Sequence, residues 1–256
     1  MSAPTFIAIN ARELLAQHGL DNFAALWALP LDPVDEPNTN RGGWSEVYRL
    51  ELKDEQGMTQ AFYVKRQENH LTRTLAHPFG EPTFAREFRA IQTYMRLGVP
   101  VLEPVFFARR RQPSGAQAII ITRALDEYSP LEDWLQRWDS LGRRERDQLI
   151  HTAAALVRTL HNTGYVHNCL YPKHIFLEGG AEGRARLIDL EKTRRAVLGR
   201  RDYVRDLETL QRRSHSPSRS ERLRFLLSYL GIKKVNEEAR QWITAVLVRQ
   251  HAKERA

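Results

Sequence analysis

The sequence predicts an α+β fold, with a small β-rich lobe ahead of a larger helical one. Three observations predict it. Residues 40–122 carry two pairs of β-rich runs, each pair split by a polar turn. From residue 131 onward, apolar residues recur at helical spacing. The chain has 256 residues, 42% apolar and 27% charged, which suits one large domain or two small lobes and excludes global disorder.

The elements follow in order. Residues 1–30 show a short helical pattern marked by Ala8, Leu14, Leu15, Leu26 and Trp27, and Pro30, Pro33 and Pro37 end it. Trp44, Val47, Tyr48, Leu50 and Leu52 precede the turn Asp54-Glu55-Gln56-Gly57, and Ala61-Phe62-Tyr63-Val64 follows it, so this stretch reads as a hairpin. In 83–97, Phe84, Phe88, Ile91 and Met95 repeat at three- and four-residue steps, which predicts a helix stopped by Gly98 and Pro100. Strands are expected at 101–108 and 116–122, around Pro113-Ser114-Gly115. Helices are expected at 131–138 and 143–163, the second with Leu149, Ala153, Leu156, Val157 and Leu160 on one face. Between 165 and 190 a loop and two short strands are expected, with Gly179-Gly180 between the strands. Residues 202–251 read as helical, apart from the break Ser214-His215-Ser216-Pro217-Ser218.

Charge and cysteine usage narrow the class. Lysine and arginine number 39 against 31 acidic residues, a net charge of +8, which favours an anionic partner or simply a solvated arginine surface. No helix-turn-helix, zinc or RNA-binding pattern is present, so no nucleic-acid partner is expected. No apolar run nears the ~20 residues that span a bilayer. The start Met1-Ser2-Ala3-Pro4-Thr5-Phe6 lacks the basic and apolar regions of a secretory leader. With Cys169 the only cysteine, no internal disulfide forms, and a reducing cytoplasm is the expected compartment.

Four features carry candidate chemistry. Gly42 and Gly43 open Arg41-Gly42-Gly43-Trp44-Ser45-Glu46-Val47-Tyr48, where a glycine backbone can approach phosphates or merely turn. Lys65 closes the strand Phe62-Tyr63-Val64-Lys65, where a lysine either grips phosphate or is a solvated charge. Glu87 lies 22 positions on, within a helix, and could hold Lys65 extended or pair with Arg86 or Arg89. Finally, the run Gly164-Tyr165-Val166-His167-Asn168-Cys169-Leu170-Tyr171-Pro172-Lys173-His174-Ile175-Phe176-Leu177 precedes Leu187-Ile188-Asp189-Leu190. A carboxylate just past an apolar strand suits a hard cation such as Mg²⁺, or caps the next turn.

In this order the features resemble the protein-kinase-like superfamily. His167-Asn168-Cys169-Leu170-Tyr171-Pro172-Lys173-His174 is similar to the catalytic-loop pattern His-Arg-Asp-Leu-x-x-x-Asn. Within the superfamily, residues 40–230 most resemble the lipopolysaccharide core kinases, the Kdo/heptose kinase and InaA-like group. That likeness rests on Tyr171, His174 and Leu177, on Ile188-Asp189-Leu190, on Arg205-Asp206-Leu207, and on Ser220-Glu221-Arg222-Leu223-Arg224-Phe225-Leu226-Leu227-Ser228-Tyr229.

The resemblance implies a protein-kinase-like bilobal fold. Residues 1–39 would be an N-terminal helical extension and 40–122 the nucleotide-binding lobe. Residues 123–256 would be the helical lobe with the catalytic loop, metal motif and substrate. It also implies ATP and Mg²⁺ as cofactors. Gly42, Gly43 and Ser45 would cover the phosphates, and Lys65 would contact them, held by Glu87. Thr122 to Leu125 would meet adenine. Asp189 would hold Mg²⁺ with His174 in the second metal position, and Asp206 would brace the loop from beneath. The implied acceptor is a heptose or Kdo sugar of the lipopolysaccharide inner core or a lipid-linked acceptor, reached by peripheral contact at the cytoplasmic face of the inner membrane.

Two positions depart from the superfamily pattern: Cys169 stands where the catalytic aspartate falls, and His174 where the second metal-binding asparagine falls. His167 or His174 could take the acceptor's proton in place of that aspartate, or His167 could be packed and bonded to backbone. The alternative function is a pseudokinase, an ATP-binding or scaffold protein in envelope biogenesis or stress response. The basic residues Lys192, Arg194, Arg195, Arg200, Arg201, Arg212 and Arg213 form either a platform for an acidic, phosphorylated substrate or a solvated surface.

Overall fold

A computed structural model describes residues 6–39, 42–74, 77–179 and 183–255 of the chain. Arg41 of the glycine turn, Gly180 and residues 1–5 lie outside the described residues. Two units divide the chain: Met1–Gln92 with Leu102–Ala124, and Thr93–Val101 with Leu125–Ala256.

The first unit is built on an antiparallel sheet. It runs through β1 (Phe6–Ile7), the short helices α1 (Arg12–Gln17) and α2 (Phe23–Ala28), β2 (Trp44–Lys53), β3 (Thr59–Glu68), β4 (Leu71–Thr74) and β5 (His77–Pro82). Next come helix α3 (Thr83–Arg96), whose last four residues belong to the second unit, and strands β6 (Pro104–Gln112) and β7 (Gly115–Arg123). The sheet order is β1-β6-β7-β3-β2, and β4 and β5 form a separate hairpin. The β2–β3 turn is fixed by Asp54, whose Oδ1 accepts the N–H groups of Gln56 and Met58 at 3.0 and 2.9 Å. Leu50, Leu52, Phe62, Val64, Ile119 and Ile121 alternate inward and form one core with Leu14, Leu15 and Leu26. The N-terminal helices therefore share the core of the sheet. Each fully buried aliphatic side chain there contributes roughly 1.5–3 kcal/mol.

Gly43 sits where two backbones nearly touch. A Cβ at this position would lie 2.1 Å from the Glu68 carbonyl oxygen and 2.5 Å from the His70 nitrogen. Gly43→Ala is expected to destabilise the protein by about 1–3 kcal/mol, since backbone cannot yield as a side-chain tip can. The midpoint of chemical denaturation checks this, and an unchanged midpoint would contradict it.

The second unit is mainly helical. It comprises β8 (Tyr128–Pro130), α4 (Leu131–Gln136), α5 (Arg143–Asn162), β9 (Tyr165–Val166), β10 (Ile175–Glu178), β11 (Ala185–Leu187), β12 (Arg194–Arg195), α6 (Arg200–Arg213), α7 (Arg219–Leu230) and α8 (Glu237–Glu254). β10 lies between β11 and β8, and β12 pairs with β9. α5 buries Leu149, Ala153, Leu156, Val157 and Leu160 along one stripe and packs chiefly on α7, while α6 packs on α8. α7 begins with a capping box between Ser218 and Glu221 and ends at Gly231. Buried Glu208 on α6 pairs with Arg212 at 2.6 Å and with Arg249 of α8 at 3.7 Å. Arg212 is therefore part of the helix packing. Among these helices lies an apolar cavity of about 650 Å³, lined by Leu131, Trp138, Leu149, Leu210, Phe225 and Leu247 among others.

The connection from β12 to α6 is clamped by Asp202. Its carboxylate accepts two bonds from Arg194, at 3.0 and 2.6 Å, and a third from the Leu198 N–H at 2.9 Å. The Arg194 hydrogen bonds hold the carboxyl down at about 2, below its ordinary 3.8. A depressed carboxylate stabilises the fold above its unfolded pKa, and the contribution fades as pH falls through the folded value. Asp202→Asn is therefore expected to cost about 2 kcal/mol near neutrality. The difference from wild type should shrink as pH drops from about 4 towards 2. Paired denaturation curves across that range check it, and a constant difference would contradict it.

Candidate functional site

In the first unit, β3 carries Lys65 opposite Val47 of β2 and Ile120 of β7. α3 carries Glu87, and Lys65 Nζ lies 2.8 Å from Glu87 Oε1. The glutamate side chain is only 3% exposed, against 20% for the lysine. Arg89 is engaged elsewhere, 2.6 Å from Glu81. A buried carboxylate is costly unless paired, so the pair fixes the lysine's reach. The ring of Phe84 lies 5.9 Å from the ammonium.

Ser45 exchanges backbone hydrogen bonds of 2.9 Å with Asn38 in both directions, so its N–H already has an acceptor. Gly42 precedes the close approach made by Gly43. Thr122 is buried in β7, and the chain crosses to the second unit just before Leu125, whose carbonyl accepts the Tyr128 N–H at 2.9 Å.

In the second unit, the loop after β9 is latched by buried Asp206 on α6. Its carboxylate accepts the His167 N–H at 2.7 Å and the Asn168 N–H at 2.9 Å. His161, at the end of α5, connects the same carboxylate to α7. Its Nε2 lies 3.4 Å from Asp206 Oδ2 and its Nδ1 is 2.9 Å from the Tyr229 hydroxyl. The aspartate can only accept here, so Nε2 carries the proton and Nδ1 accepts from Tyr229. Burial raises the Tyr229 hydroxyl well above its ordinary pKa, which keeps it a donor. Sequence reasoning missed His161. Its partners are 45 and 68 positions away, and no local pattern marks it.

His167 is fully buried, and its Nε2 lies 2.9 Å from the Ile188 carbonyl, beside Asp189. His174 is buried too. Its Nδ1 donates to the Cys169 carbonyl at 2.9 Å, and its Nε2 lies 3.1 Å from Asp189 Oδ2. Burial pushes this imidazole down to about 4, against the pull of Asp189. At neutral pH it is therefore uncharged, and its Nε2 lone pair faces a carboxylate oxygen. Two electron-pair donors in such proximity suit a cation. Asp189 is 38% exposed and takes a left-handed backbone (φ 56°, ψ 59°), unusual outside glycine and asparagine.

Among the described residues, no group of three or more His, Cys, Asp or Glu is placed to hold a metal ion. Mg²⁺ commonly binds through one or two carboxylates plus substrate phosphates. Asp189 fits an ion of that kind, which is completed by its ligand.

Cys169 is buried, and its Sγ has two donors beside it. Lys192 Nζ lies 4.0 Å away, and the Tyr171 hydroxyl is hydrogen-bonded to the cysteine side chain, which raises the tyrosine pKa. Arg213 lies over the Tyr171 ring at 4.7 Å. The position built for a carboxylate in the kinase pattern thus keeps donors suited to one.

Comparison with known proteins identifies the family of the chain. Residues 24–229 match the model of the lipopolysaccharide kinase (Kdo/WaaP) family. Protein InaA of Escherichia coli (strain K12) is 30% identical over 194 residues, covering 75% of this chain and 88% of that protein. A solved structure of WaaP in complex with acyl carrier protein superposes with a TM-score of 0.70 at 22% identity, covering 98% of both chains. That likeness shows a protein-kinase-like fold. The chain belongs to the lipopolysaccharide kinase (Kdo/WaaP) family.

Proposed function

We propose that this chain is an ATP-dependent phosphotransferase whose acceptor is a hydroxyl of a heptose or Kdo sugar in the lipopolysaccharide inner core. The observation that carries the reading is the Lys65–Glu87 pair at 2.8 Å, with its carboxylate buried. Lys65 contacts the ATP phosphates, and Glu87 holds its ammonium in place. Gly42, Gly43 and Ser45 line the phosphates, and Thr122 and Leu125 lie along the segment that meets adenine. Asp189, with His174 behind it, holds Mg²⁺, which supplies charge neutralisation for the transferring phosphoryl group. The acceptor oxygen forms a bond to the γ-phosphorus as the bond to ADP breaks, and the hydroxyl proton leaves to solvent. His167 positions rather than reacts, since it is sealed from solvent.

Cys169 favours the second reading, a pseudokinase, because a neutral thiol accepts a proton poorly. Incubating the protein with ATP, Mg²⁺ and dephosphorylated inner-core acceptors separates the two. One added phosphate in the acceptor's mass supports the enzyme. ATP binding without transfer to any acceptor supports the pseudokinase.

A protein partner belongs to the proposal as well. The WaaP structure is described in complex with acyl carrier protein. For this chain, the 650 Å³ apolar cavity of the second unit favours such a partner, because an apolar hollow of that size accepts an acyl chain. The place of action proposed here is cytoplasmic. No described helix is long and apolar enough to cross a membrane.

A further inference from the structure

The segment 192–205 combines three properties. First, it exposes aliphatic surface: Val197 is 81% and Leu198 62% exposed. Second, that surface is held rigidly. Arg194 and Leu198 are tied to Asp202, the Ala196 N–H donates to the Gly164 carbonyl at 2.8 Å, and the Asp202 N–H donates to the Gly199 carbonyl at 3.0 Å. Gly199 makes the turn into α6 with φ 53° and ψ −124°, a backbone that L side chains rarely adopt. Third, the flanks are basic. Lys192, Arg195, Arg200, Arg201 and Arg205 are exposed, and the one acid among them, Asp202, is buried and paired with Arg194. Glu191 is half-buried. Arg200 leans on the Trp242 ring at 4.6 Å, and Arg195 lies 5.6 Å from the Tyr165 ring, which orders both guanidinium groups.

A frayed loop would expose such residues at random, whereas this one is pinned at both ends with Val197 and Leu198 at its tip. Little order remains to be lost on docking. An aliphatic tip ringed by arginines matches the interface of a bilayer bearing anionic headgroups. We propose that the loop 194–201 docks on an anionic lipid surface, with Val197 and Leu198 entering the interface and Arg195, Arg200 and Arg201 facing the headgroups. Docking requires no phosphate transfer, so it stands or falls apart from the enzymatic reading.

The test is sedimentation of the full chain with vesicles of phosphatidylcholine alone and of phosphatidylcholine with one quarter phosphatidylglycerol. Binding is expected to the second and to be weak for the first. Each arginine contributes about fivefold, and the effect is screened by salt. The double variant Val197→Asp/Leu198→Asp is expected to lose at least about tenfold. The triple variant Arg195→Gln/Arg200→Gln/Arg201→Gln is expected to lose about a hundredfold along with most of the salt dependence. Unchanged thermal midpoints in both variants show that the loss is local. Wild type that ignores both vesicles, or anionic-vesicle binding that survives the double aspartate variant, would overturn the proposal. A protein that binds this loop while vesicles do not would give the first of these results.

Discussion

Cys169→Asp is expected to raise phosphate transfer by about 10²-fold, the lower end of what a positioned general base contributes. The substitution adds little volume, and its surroundings already suit a carboxylate. Lys192 Nζ and the Tyr171 hydroxyl both point hydrogen-bond donors at the side chain. The backbone around it is held independently, since the Cys169 carbonyl accepts from His174 Nδ1 and from the Tyr171 N–H, both at 2.9 Å. In the proposed reaction the native thiol would leave phosphate transfer to positioning and charge neutralisation, which carry most of the work in this chemistry. Initial rates with a saturating acceptor check it. A fall in turnover would mean that the loop is adapted to the thiol. An absence of turnover in both forms would leave a nucleotide-binding scaffold.

The largest loss of stability is expected from Asp206→Ala, at about 3–5 kcal/mol. It would leave the backbone donors of His167 and Asn168 without their acceptor and strip His161 of its anionic partner. Tyr229→Phe removes only the hydroxyl contact with His161 and is expected to cost about 1 kcal/mol. Denaturant midpoints for the two variants should differ accordingly. Equal and small effects would show that the loop stands without its latch.

The strands that face the core were legible because their apolar residues alternate between turns with recognisable chemistry, as at Asp54 and Gly57. The hairpin β4–β5 was not read. Pro78 and Phe79 at its tip are exposed and Gly80 is half-buried, so no apolar alternation marks it. The single helical pattern expected at the N-terminus is two short helices, because Gly19 breaks the chain between them. The continuous helix expected beyond residue 219 also breaks, at Gly231. There the Ile232 N–H turns back to the Leu227 carbonyl at 3.0 Å, and Asn236 caps α8. Glycine and asparagine signalled this break in the sequence.

For the site, the order of the motifs and the family resemblance pointed to Lys65, Glu87 and Asp189. The sequence could not decide which acid Arg89 would take, and the structure gives it Glu81. Arg194 and Arg212 read as surface charge, yet each holds a buried carboxylate. Partnerships across tens of residues, such as His161 with Tyr229, leave no periodic trace. They arise only when α5, α6 and α7 pack.

The most direct test is calorimetry of ATP with Mg²⁺ on wild type, Lys65→Ala and Asp189→Ala. Saturable binding is expected in wild type, weakened at least about 10²-fold in Lys65→Ala, with the Mg²⁺ dependence lost in Asp189→Ala. Folded wild type that binds no nucleotide, or affinity unchanged by removing Lys65, would contradict the nucleotide site on which the proposed phosphate transfer rests.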